Sequence, residues 1–121
     1  MNDDAVLKAK NIALTTKSWR DAGKKIKNAF IELSTEQMLE VLDFWQKYMA
    51  KSLTDGELLS ELNFWSEGGS FESHLNGYDA LNPKVLVFEA KKRNWTVMQI
   101  SSGSFIINPP EKAPIVIKNI S

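Results

Sequence analysis

Cysteine is absent from this 121-residue chain, and histidine occurs once, at His74. Without cysteine there is no disulfide, no thiolate nucleophile and no cysteine-held metal. With one histidine, the nitrogen and sulfur donors that suit zinc and copper are nearly gone. Glu72, His74 and Asp79 lie close in sequence, but their spacing matches no metal-binding loop. The expectation is no metal and no cofactor. Long apolar runs are also missing. The longest uninterrupted one, Val85 to Phe88, falls far short of the roughly 20 residues of a membrane span. The acidic opening Met1-Asn2-Asp3-Asp4 lacks the basic start and apolar stretch of a secretory leader. A cytoplasmic protein is therefore expected. The sequons at Asn94 and Asn119 read as chance.

Net charge is zero, with 15 basic and 15 acidic side chains, but the signs are blocked along the chain. Residues 1–28 carry seven basic groups against Asp3, Asp4 and Asp21. Residues 32–79 carry ten acids against Lys47 and Lys51. Residues 84–118 carry six basic groups against Glu89 and Glu111. Such blocks either neutralise one another across the fold or present surfaces to partners of opposite sign. A homo-oligomer joining basic patch to acidic patch fits the same pattern.

Hydrophobic residues at 43% and charged residues at 25% are ordinary globular values. Helix starts are well marked. Ser18-Trp19-Arg20-Asp21, Ser34-Thr35-Glu36-Gln37 and Thr54-Asp55-Gly56-Glu57 each place a hydroxyl three residues before an acid or amide, the capping-box pattern. The first opens an apolar stripe of Trp19, Ala22, Ile26, Phe30 and Leu33, predicting a helix to about Leu33. The second opens a face of Met38, Val41, Leu42, Trp45, Tyr48 and Met49. The third opens Leu58, Leu59, Leu62 and Trp65, and Gly68-Gly69 stops it. Residues 69–81 lose periodicity among turn signals. Asn82-Pro83 caps a fourth helix to about Arg93, although Val85-Leu86-Val87-Phe88 leaves a strand open as the alternative.

The tail reads as sheet. Trp95–Ile100 and Phe105–Ile107 flank the turn Ser101-Ser102-Gly103-Ser104, and Ile115–Ile117 follows Pro114 as an edge strand. The expected fold is α+β, with about four N-terminal and central helices and a small C-terminal antiparallel β-hairpin or three-stranded meander. It spans one compact domain over 1–121, with termini (about 1–4 and 118–121) frayed. The segments 38–45 and 58–65 both carry Leu-(Asp/Asn)-Phe-Trp, which similar core demands on neighbouring helices explain without true repetition.

No motif carries chemistry. There is no Gly-x-Ser-x-Gly elbow, P-loop or dinucleotide fingerprint. The chain is read as not an enzyme. The preferred reading is a small protein-interaction module of adaptor, immunity or inhibitor type, of the kind bacteria and phages carry as accessory proteins. Its partner would be a protein held by the acidic helices with aromatic anchors: Phe44 and Phe64, with Glu36, Glu40, Asp43, Glu57 and Glu61. Phe44 and Phe64 should be more exposed than Trp45 and Trp65, which align with the leucine stripes. One alternative is nucleic-acid binding through Lys24, Lys25, Lys27, Lys91, Lys92 and Arg93, where clustered bases near Trp95 suit phosphates and a stacked base. The other is a small enzyme or ligand binder using the 69–81 loop with His74 and Tyr78, His74 being read as a solvated loop residue otherwise.

Overall fold

The computed structural model describes residues 3–118 and 120, and the side chains of Asp3 and Tyr78 lie outside the described residues. The described residues form five α-helices followed by a three-stranded antiparallel sheet, an α+β arrangement. It divides into two compact units, Met1–Met49 and Ala50–Ser121.

The first unit is helical: α1 (Asp3–Ala13), α2 (Trp19–Asn28) and most of α3 (Thr35–Lys51). The α1 helix adds to the helices that capping signals mark. Its buried side is Val6, Ala9 and Ala13, which meets Ala22 and Ile26 of α2. Small side chains let two helix backbones approach closely. Ser18 caps α2 by accepting from Asp21 N–H at 3.3 Å. The box is half made, because the Ser18 N–H donates to Thr16 Oγ1 instead. At Ser34 the box is complete: Gln37 N–H donates to Ser34 Oγ and Ser34 N–H to Gln37 Oε1. Trp45 is the central large side chain, 1% exposed, and its indole N–H donates to the Thr16 carbonyl at 3.0 Å. Its ring lies 5.8 Å from that of Trp19.

Two expectations about these helices fail. The α2 helix stops at Asn28 and does not reach Leu33. Phe30 N–H bonds the Lys27 carbonyl and Ile31 N–H bonds the Ile26 carbonyl, a Schellman ending with Phe30 at the left-handed position, φ 59°. Phe30 is therefore 94% exposed and leaves the stripe. Tyr48, expected on the buried face of α3, is 46% exposed, while Ala50 is buried.

The second unit holds α4 (Asp55–Ser66), a 3₁₀ turn (Gly77–Asp79), α5 (Pro83–Lys92) and the sheet. Thr54 and Glu57 form a reciprocal capping box. Gly68, φ 88°, ends α4 in a second Schellman motif. Residues 83–92 are helix and not strand: the Asn82 side chain accepts from Lys84 N–H and Pro83 opens the first turn. The helix-period burial of Leu86 and Ala90 overrides the β-forming composition. Asn94, φ 64°, closes α5 in a third Schellman motif.

The sheet runs β1 (Thr96–Ser101), β2 (Ser104–Asn108), β3 (Ile115–Ile117), in that order. At the β1–β2 turn Gly103 has φ 77°, and a Cβ there would collide with the Ile120 carbonyl. Ile107, Ile115 and Ile117 face inward with Leu58, Leu62 and Leu86 to make the core. The α4 helix lies against β3 and α5 against β1.

Candidate interaction surface

The acids and aromatics singled out from the sequence divide between the two units. Glu36, Glu40, Asp43 and Phe44 lie on α3, and Glu57, Glu61 and Phe64 on α4. On α3, Lys10 of α1 reaches two of them. Its ammonium is 2.9 Å from Glu40 and 5.2 Å from the centre of the Phe44 ring. Asp43 pairs with Lys47 one turn on, at 2.9 Å. Glu36 is exposed in the first turn. Phe44 is half-buried beside the buried Trp45, the ordering expected of that pair.

On α4 the same residue types are engaged locally. Glu57 is exposed and accepts from Thr54 N–H, and this hydrogen bond to its carboxylate holds its pKa below the ordinary value. Phe64 and Trp65 are both half-buried, so the expected ordering does not hold for this pair. The Phe64 ring meets Trp65 edge-on at 5.3 Å and His74 at 4.8 Å. It also covers Gly69, where a Cβ would strike the ring. Trp65 Nε1 is buried with no hydrogen-bond acceptor among the described residues.

His74 differs from a solvated loop residue. Its side chain is 6% exposed. Nδ1 accepts from the Asn76 N–H at 3.0 Å, which leaves the ring proton on Nε2, and Nε2–H donates to the Glu61 carboxylate at 2.9 and 3.1 Å. Both ring nitrogens are occupied, so the ring braces the 69–81 loop against α4. Ser70 and Ser73 bond each other. Tyr78, paired with His74 in the ligand-binding alternative, has its side chain outside the described residues. Among the described residues no cluster of metal-ligating side chains occurs, and no helix is long and apolar enough to cross a membrane.

The basic set also splits. Lys24, Lys25 and Lys27 lie on α2, where Lys25 Nζ donates to Thr15 Oγ1 at 3.3 Å. Lys91 and Lys92 close α5 and are exposed. Arg93 is a structural hub. Its Nε donates to Glu89 at 2.7 Å and Nη1 to Asp55 at 2.8 Å, while Nη2 donates to the carbonyls of Ala50 and Leu53. It thereby donates to carbonyls at and just past the end of α3 and pairs with the Asp55 carboxylate in the first turn of α4. Burial pulls its pKa down, but the bonds to Glu89 and Asp55 outweigh this and raise it. Arg93 thus spends its donors inside the second unit.

The uncommitted surface lies elsewhere. Among the described residues β1 is an edge strand, paired with β2 on one side only. Of its six residues only Val97 is even half-buried. Met98 is 57% exposed and Ile100 48%. Met98, Ile106 and Val116 stand opposite one another across the three strands, forming an apolar row on the face away from α4 and α5. Edges are normally blunted by charge, proline, shortness or cover. At the other edge, β3 has three residues, follows Pro114 and buries Ile115 and Ile117. β1 has no charge and no proline. A bulge at Ile100 interrupts only its turn end, leaving Thr96–Gln99 in regular register. The signal was present in the sequence: Val97 and Met98 are adjacent apolar residues, so whichever face turns inward, the other shows one of them. Comparison of the chain with protein-family models, with curated proteins and with solved structures finds no significant match.

Proposed function

We propose that the chain is a non-enzymatic protein-interaction module that receives an extended segment of its partner along β1. One observation carries this reading. β1 is an uncharged, proline-free sheet edge whose Met98 and Ile100 are exposed. Along an edge strand, N–H and C=O groups without ladder partners supply affinity by strand addition, and alternate side chains supply selectivity. The acidic and aromatic residues of α3 and α4 support it less, because Lys10, Lys47, His74 and the Thr54 cap already take most of them.

The test places a charge on the edge. Met98→Lys alters an exposed side chain, so the circular dichroism and melting of the protein should change little. Purified wild type and variant are each used to select from displayed random peptides of about twelve residues, long enough to cover a strand with flanks. Peptides enriched by the wild type and lost with Met98→Lys support the reading. Enrichment unaffected by Met98→Lys, or no enrichment at all, overturns it.

A further inference from the structure

The groups beside β1 specify the chemistry of its partner. The α5 helix passes into β1 through Arg93, Asn94 and Trp95 and packs against that strand. Lys91 Nζ lies 5.9 Å over the Phe105 ring, and Phe105 stands opposite Gln99 of β1 in the ladder. Lys92 Nζ lies 5.6 Å over the ring of Phe88, which is 43% exposed. Both lysines are exposed. The one acid on α5, Glu89, is 6% exposed and bonded to Arg93. β1 itself carries no charge. The helix packed against β1 thus carries an exposed apolar ring and two ammonium groups, with no exposed carboxylate on either element.

We infer that the partner segment is an acidic β-strand: an extended peptide alternating apolar residues with aspartate or glutamate. This rests on the strand-addition reading above. Backbone groups of the peptide pair with Thr96–Gln99. On the helix side its carboxylates approach Lys91 and Lys92, and on the opposite face its apolar side chains extend the row begun by Met98. A second copy of this chain fits less well. Antiparallel pairing of two β1 strands about a two-fold axis normal to the sheet sets both α5 helices on one face. Lys91 and Lys92 would then meet their own copies, and like charges oppose such pairing.

The same peptide selection decides among these outcomes once the enriched sequences are read. Met98-dependent peptides rich in both β-branched residues and Asp or Glu are expected. Their binding, followed with labelled synthetic copies, should weaken about five- to tenfold in the doubly substituted Lys91→Glu, Lys92→Glu protein, the size expected for two exposed ion pairs. It should also weaken with added salt. Met98-dependent peptides that are neutral or basic, or acidic ones indifferent to the lysine reversal, overturn the acidic-strand inference while the strand-addition reading stands. If no peptide depends on Met98, both fall. Dimerisation of the wild type in sedimentation, abolished by Met98→Lys, replaces the acidic peptide with a second copy. Melting curves of both variants confirm that each compared protein is folded.

Discussion

Replacing Phe30 by glycine should stabilise the protein. At φ 59° the phenylalanine occupies a conformation that costs an L-residue roughly 1–2 kcal/mol and glycine almost nothing. Glycine gives back part of this, about 0.5 kcal/mol, because it loosens the unfolded chain more. The ring contributes little in return. At 94% exposure it buries about 6% of its area, roughly 12 Å², worth about 0.3 kcal/mol at ~25 cal/mol per Å². The net expectation is a gain of about 0.5–1 kcal/mol. Urea unfolding reads this as a midpoint higher by about 0.3–0.5 M at an unchanged slope of about 2 kcal/mol per M. Phe30→Ala is the control, since alanine keeps the strained backbone and drops the ring. It should give no gain, and Phe30→Asn should fall between. If alanine stabilises as much as glycine, the ring and not the backbone is the cost. If glycine destabilises, the ring holds packing that the exposure does not show, and the reasoning fails.

Other expectations follow from the second unit. Arg93→Met strips Glu89 of its counter-charge while Glu89 stays 6% exposed, and should cost about 3–5 kcal/mol in denaturant unfolding; Arg93→Lys should recover only part, since one ammonium cannot reach both carboxylates and two carbonyls. Gly69→Ala drives a Cβ into the Phe64 ring and should cost about 1–3 kcal/mol, with a changed tryptophan emission as Phe64 leaves Trp65. Glu57 has its pKa depressed below 4.5 by its bond to the Thr54 N–H, so its stabilisation is whole above that pH and fades as pH falls through the lower folded value. Glu57→Gln, which still accepts from Thr54 at any pH, should flatten stability against pH across the acidic range, as followed by urea midpoints.

How much of this was legible depends on where each cause lies. The Ser34 and Thr54 caps, Asn82-Pro83 and Gly68 act within three or four residues, so their chemistry is written locally. The sheet, too, is announced by its turn and its β-formers. The α1 helix was not, because Ala9 and Ala13 carry its buried side, and alanine scarcely registers in a hydrophobic period. The end of α2 was hidden for the opposite reason: Phe30 and Leu33 continue the apolar stripe, and no glycine or asparagine marks the reversal. The candidate site was harder still. That Glu61 holds His74, that Lys10 takes Glu40 and Phe44, and that Arg93 serves backbone carbonyls some 40 residues back are facts of tertiary proximity. The sequence showed charge and aromatics; only the fold shows which of them are already spent.

The reach of Arg93 back to Ala50 and Leu53 also sets an order of events. Chains emerge from the ribosome N-terminus first, so the corner between α3 and α4 exists for a time before residue 93 is made. Until then the Leu53 carbonyl and the Asp55 carboxylate lack their guanidinium donor, while the Ala50 carbonyl keeps its bond from the Leu53 N–H. The corner is latched when the end of α5 arrives, and β1 is the next segment to emerge. A nascent chain halted before Arg93 would hold an unlatched turn over residues 50–55 and no sheet, whereas one that has passed it closes that turn just as the edge strand begins to form.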